Sequence, residues 1–137
     1  MKKHILLPFF ILISSISFAQ ETATITLSRK GLWSGTAGAT KIFMDGNIIC
    51  ELSNNSFSIH SIPTGKHVFT ARWYSKKAKE KDNGDEFAVE IEIKPSEQYY
   101  LQVVKQDKGL SSYVAVQEIT SNTWNKIKEG LDKGDCH

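Results

Sequence analysis

The stretch Lys41–Trp73, KIFMDGNIICELSNNSFSIHSIPTGKHVFTARW, constrains the chain more than any other. Four short apolar runs are divided by Asp45-Gly46, by Ser53-Asn54-Asn55 and by Pro63-Thr64-Gly65. Each break has a turn mechanism: Gly and Asn tolerate positive φ, and Pro pre-sets φ near its turn value. Runs this short, rich in Ile, Phe and Val, are strands rather than helices. Asp-Gly between two such runs is a strong two-residue hairpin signal, because a primed turn needs positive φ at both positions. The expectation is a hairpin of Thr40–Met44 and Asn47–Leu52, then a strand around Phe57 and Ile59. Asn54-Asn55-Ser56 matches a glycosylation sequon but reads here as a turn.

The flanks repeat the pattern. Ala23–Arg29 alternates, Ile25 and Leu27 on one face, Thr24, Thr26 and Ser28 on the other, which predicts a half-buried first strand. After Pro63-Thr64-Gly65, residues 67–74 alternate, with His67, Phe69, Ala71 and Trp73 as the core-facing set. Ser75–Glu86 is a charged connection with four lysines and a solvated loop's composition. Phe87–Ile93 alternates again, with Glu90 and Glu92 outward. Tyr99–Lys105 and Ser112–Ile119 complete the strands. Ser121 or Asn122 then caps a short helix to about Leu131, whose apolar stripe is Trp124, Ile127 and Leu131. The fold class is all-β: an antiparallel β-sandwich of seven to eight strands with a short C-terminal helix.

The amino terminus reads as a secretory signal. Lys2 and Lys3 precede an apolar run, Ile5–Ile13, and Ser17-Phe18-Ala19 sets small residues where a signal peptidase reads. The run is too short for a bilayer-spanning helix, and no second long apolar stretch follows. The division expected is residues 1–19 as signal and 20–137 as one β-sandwich domain, exported to the periplasm or secreted. Of 17 basic residues, Lys2 and Lys3 leave with the signal; 15 then face 15 acidic ones. A neutral domain has no general attraction to nucleic acid.

Little in the pattern speaks for catalysis. There is no Gly-x-Ser-x-Gly elbow and no Cys-x-x-Cys. The glycines of Lys30–Ala39 lack the Gly-Lys-Ser/Thr ending of a phosphate loop. Glu90 and Glu92 share a solvent face rather than opposing each other across a cleft. His60 and His67 flank the Pro63-Thr64-Gly65 turn. Whether the chain turns back there as a hairpin or crosses between sheets, the two imidazoles diverge, so no shared zinc is expected. Cys136-His137 has metal-binding composition without a site's spacing. The reading is no catalytic, cofactor or metal residue set, and no enzyme. Trp33, Tyr74 and Tyr113 are candidate stacking surfaces for a ligand or partner; for Trp33, a lid on the core edge is the alternative. Cys50 alternates with Ile48 and Leu52 and points inward, while Cys136 lies in a polar tail, Asp132–His137, that reads as frayed. Two states stay open: a buried Cys50 thiol, or a Cys50–Cys136 disulfide, which would close a long loop and contribute roughly 4 kcal/mol.

The run FMDGNIICELSNNSFSIHSIPTGKHVFTA, with Met44-Asp45-Gly46 and Pro63-Thr64-Gly65-Lys66-His67, resembles the domain of unknown function 2846 family of small exported bacterial envelope proteins. Ser28-Arg29 and Gln98-Tyr99-Tyr100 also look like that family. Transthyretin-like and PEGA-type modules share the Asp-Gly and Pro-x-Gly elements. The resemblance implies a sandwich fold and an envelope location, and it implies no activity. Many members of the family are lipoproteins; this chain lacks the lipobox Cys at its cleavage site. Two functions follow as expectations. One is a non-catalytic structural or protein-interaction module of the cell envelope, its partner an unknown envelope protein. The other is a small-ligand or carbohydrate binder that uses exposed aromatics.

Overall fold

The computed structural model describes residues 19–31, 38–73, 87–134 and 136. Residues 1–18, expected as the signal, Trp33, Tyr74, Asp135, His137, most of the glycine-rich loop and all of Ser75–Glu86 lie outside the described residues. Nine strands follow in order: β1 (Thr22–Arg29), β2 (Thr40–Met44), β3 (Asn47–Leu52), β4 (Ser56–Pro63), β5 (Gly65–Trp73), β6 (Val89–Ile93), β7 (Gln98–Lys108), β8 (Ser111–Ile119) and β9 (Asp132–Lys133). Helix α1 (Ser121–Ile127) and a 3-10 turn (Lys128–Gly130) precede β9. The strands form two sheets, ordered β8-β7-β1-β4-β9 and β3-β2-β5-β6. This is the all-β sandwich with a short terminal helix that the periodicity predicts. Pairing is antiparallel except between β1 and β7 and between β4 and β9. No helix among the described residues is long and apolar enough to cross a membrane.

The core lies between the sheets. Ile25, Leu27, Leu101, Val103, Val114 and Val116 of the first sheet meet Ile42, Leu52, Phe69, Ala71, Ile91 and Ile93 of the second. β1 is buried on both faces rather than half-buried, because it is the central strand of its sheet. Its outer residues lie between Phe57 and Tyr100: Ser28 pairs with Phe57, and Thr26 with Tyr100. Trp124 of α1 packs across this row, edge-on to Phe57 at 5.1 Å and stacked on Tyr100 at 5.8 Å between ring centroids. The helix therefore docks through Trp124, which is 9% exposed.

The helix itself differs from expectation. Thr120, not Ser121 or Asn122, is the N-cap: its hydroxyl accepts from the Thr123 N–H at 3.2 Å. The α-helix ends at Ile127, and Leu131 is extended and buried. The expected three-residue stripe is thus split between a helix and the segment after it. The first three residues of the tail that reads as frayed, Asp132–Gly134, are held in place. Asp132 and Lys133 pair with Ser56 and Phe57, and the Asp132 and Gly134 N–H groups donate to the carbonyls of Asn55 and Phe57.

The hairpin β2–β3 has the predicted primed turn, with Asp45 at φ 51° and Gly46 at φ 82°. It also has a β-bulge between Ile42 and Phe43: Ile42 faces Cys50, whereas Phe43 faces Ile48. The extra residue, Ile49, breaks the alternation. Cys50 and Leu52 keep the core face, while Ile48 is 46% exposed. The chain crosses from the second sheet to the first between β3 and β4 and returns between β4 and β5, so Pro63-Thr64-Gly65 is a crossing and not a hairpin.

Candidate functional site

The crossings leave β3 as one edge of the second sheet and β4, extended by the two residues of β9, as the facing edge of the first. Three segments meet there. β3 supplies Cys50, buried by the hairpin register. β4 alternates, and its buried Ser56, Ser58 and Ile62 identify the inward face that His60 shares, while Ile59 is half exposed. The segment after β9 supplies Cys136. Cys50 and Cys136 form a disulfide with Cα atoms 4.8 Å apart. Of the two states open from the sequence, the buried-thiol alternative is overturned: Cys50 is buried, as half of a cystine. The reason is β9, which carries the tail along β4 and leaves Cys136 facing β3.

Ser58 and His60 sit against this cystine. The Ser58 hydroxyl lies 3.4 Å from Cys50 Sγ and 3.2 Å from Cys136 Sγ. It is 2.9 Å from His60 Nε2, which is itself 3.4 Å from Cys136 Sγ. Sulfurs in a disulfide carry no proton, so the hydroxyl is the donor toward them. Burial holds the His60 imidazole below its usual pKa, which favours the neutral ring and leaves a lone pair on one nitrogen. Cys50, His60 and Cys136 present ligand atoms all within 4.8 Å of one another, the one such group among the described residues. The sequence reading compares His60 only with His67 and so misses it. The available signal is the alternation Ser58-x-His60-x-Ile62, in which Ile62 fixes the inward face.

The other histidine has a different role. His67 Nδ1 is 2.6 Å from Asp45 Oδ2, and its Nε2 is 3.0 Å from the Pro63 carbonyl. Asp45 Oδ1 accepts from the Val68 N–H at 2.9 Å, and the Asp45 N–H donates to the Val68 carbonyl. The Asp45-Gly46 turn is thereby tied to β5. Desolvation pushes the Asp45 carboxyl up. The bond to His67, the bond from Val68 and the His67 charge together outweigh it, and the carboxyl is held below its ordinary range. The two histidines have separate partners: Asp45 and Pro63 for His67, Ser58 and Cys136 for His60.

Of the candidate stacking residues, Trp33 and Tyr74 lie outside the described residues. Tyr113 is half-buried and stacks on Phe87, with centroids 4.9 Å apart. Trp73, unremarked by the sequence beyond its place in the core-facing set, lies under the buried Arg29 guanidinium, 5.9 Å from its ring centroid. That guanidinium also donates to the carbonyls of Gly38 and Leu52. The chain matches no protein-family model and no curated protein.

Proposed function

We propose that the chain is an exported, non-catalytic protein-interaction module of the bacterial cell envelope, which engages its partner through the edge of β8. The observation that carries this reading is a contrast among the sheet edges. Three are blunted by familiar devices against edge-to-edge pairing. β3 carries the bulge. β6 has five residues and exposes Glu90 and Glu92. β9 has two residues. β8 is blunted less: its one charged residue is the exposed Glu118. It runs for nine residues, SSYVAVQEI, without Lys, Arg or Pro, and among the described residues it pairs with β7 alone. Val114, Ala115 and Val116 in its middle are buried, so an added strand would meet its main-chain donors and acceptors at the two ends, Ser111–Tyr113 and Gln117–Ile119. The cystine supports export, since structural disulfides persist in oxidising compartments. The resemblance to exported envelope proteins points the same way.

The alternative, a small-ligand or carbohydrate module built on Trp33, Tyr74 and Tyr113, draws less support, because one face of Tyr113 is taken by Phe87. The test is a pull-down of the mature chain from envelope extract, with wild type beside Gln117→Pro and Glu118→Pro. These neighbours are exposed and adjacent on the strand, so one proline removes a ladder N–H and the other an outward-facing one. The variant that keeps its melting temperature should lose the partner. A partner held equally by wild type and by that variant would refute docking at β8.

A further inference from the structure

A cystine that only staples two sheets needs nothing polar around it. This one is lined by Ser58 and His60 on the inward face of β4, and its sulfurs and the imidazole form a three-donor cluster. We propose that reduction of the Cys50–Cys136 disulfide opens a site for a soft, thiolate-seeking monovalent cation, Cu(I), held by Cys50 Sγ, Cys136 Sγ and His60 Nε2.

The donor set selects the ion. Two thiolates and one imidazole suit soft d10 metals. Zn(II) completes four ligands in structural sites, whereas three donors satisfy Cu(I). With metal–sulfur bonds of about 2.3 Å and a metal–nitrogen bond of about 2.0 Å, a planar three-coordinate ion needs its sulfurs about 4.0 Å apart and each sulfur about 3.7 Å from the nitrogen. His60 Nε2 and Cys136 Sγ already stand at 3.4 Å. The changes required are the parting of the two sulfurs and the approach of His60 Nε2 to Cys50 Sγ, which stand within 4.8 Å of each other. Cys136, the half-buried partner on a short terminal segment, is the one placed to move, since Cys50 is fixed in the core at 1% exposure.

The same asymmetry orders the exchange. A thiolate of a dithiol reductant attacks Cys136 Sγ, the sulfur nearer solvent, and Cys50 leaves as a thiolate beside the Ser58 hydroxyl. The reductant's second thiolate then attacks its own sulfur in the mixed disulfide and frees Cys136. Two electrons and two protons enter the chain, and the reductant becomes a disulfide. Binding Cu(I) expels both thiol protons. In reverse, an oxidised dithiol accepts two electrons from the bound thiolates and takes up two protons; the cystine re-forms and Cu(I) is released. The metal does not change valence in either direction, and the bond between the sulfurs is the gate.

The experiment titrates Cu(I) anaerobically into the mature chain, either oxidised or reduced with a phosphine, in competition with a chromophoric Cu(I) chelator. Reduced protein should take one Cu(I) per chain and oxidised protein none. His60→Ala should weaken the reduced form at least tenfold, and Ser58→Ala should change affinity far less. X-ray absorption should find two sulfurs and one nitrogen. Circular dichroism of the same samples should show sheet retained on reduction or regained on Cu(I) addition. Any of four results would overturn the site: equal binding by the oxidised chain, affinity indifferent to His60→Ala, two-sulfur linear coordination, or a reduced chain that unfolds and stays unfolded with Cu(I). Zn(II) held as tightly as Cu(I) would overturn the choice of ion.

Discussion

Replacing Trp124 by Ala tests how the carboxy-terminal segment is attached. The seven residues of α1 are too few to hold a helix in water without packing. Trp124 supplies that packing through Phe57 and Tyr100, whose strands flank β1. A large aromatic buries up to about 250 Å², worth roughly 6 kcal/mol at 25 cal/mol per Å² as an upper bound. Alanine retains part of this, and a site on the outer face of a sheet refills with water more readily than a central cavity. A loss of about 3 kcal/mol follows, at the lower end of the range for Trp→Ala. Each aromatic pair adds a contribution of about 0.5–1.5 kcal/mol beyond burial, so Trp124→Phe should recover more than half of the loss. Urea denaturation followed by far-UV circular dichroism measures both. Hydrogen exchange should show Asp132 and Gly134, which donate to the chain around β4, losing protection before the strands of the core. A loss below 1 kcal/mol, or unchanged protection at those two amides, would refute the claim that Trp124 holds the segment down.

Gly46→Val should cost about 1 kcal/mol or more in the same urea assay, because Gly46 sits at φ 82°, where a β-branched residue is strained. Asp45 gives a pH signature. Its folded pKa lies below the usual 3.8, so its contribution is complete above that value and is lost as pH falls through 3.8 to the folded pKa. Asp45→Asn should abolish that acid step in the melting temperature. The double variant Cys50→Ser, Cys136→Ser should lose up to about 4.5 kcal/mol, the loop-closure value for a separation of 86 residues. The unfolded oxidised chain should give no reaction with a thiol reagent.

What the sequence discloses and what it conceals divide along contact distance. Strand existence and the hairpin turn are local matters, and Thr40–Met44, Asn47–Leu52 and Asp45-Gly46 are recovered to the residue. Local patterning fails where one residue changes phase. The bulge at Ile42/Phe43 sends Ile48 to solvent while Cys50 stays inside, and period-two reading cannot see an inserted residue. It also fails where the burial of one strand is decided by another. Thr26 and Ser28 look like a solvent face but are covered because β1 is central and Trp124 lies across its neighbours. The parallel pairs β1–β7 and β4–β9 join distant segments and leave no short-range trace.

The Ser58–His60 cluster with the cystine lies at the far end of that scale. Its visibility depends on several contacts between segments distant in sequence. Trp124 packs on the outer face of the first sheet. The chain turns through Lys128–Gly130 and buries Leu131. The Asp132 N–H meets the Asn55 carbonyl and the Gly134 N–H meets that of Phe57, which sets Cys136 against Cys50, Ser58 and His60. Read as composition, Asp132–His137 is a polar tail with the profile of a frayed end. In the fold, Asp132–Gly134 and Cys136 close the gap between two sheet edges, and Cys136 is the less buried half of the linkage. The interaction edge at β8 and the sulfur cluster by β4 lie on opposite edges of the first sheet. The two proposals are therefore separable: prolines in β8 should leave Cu(I) affinity unchanged, and His60→Ala should leave partner capture unchanged. Cross-effects in both directions would mean that the two edges communicate through β7, β1 and β4.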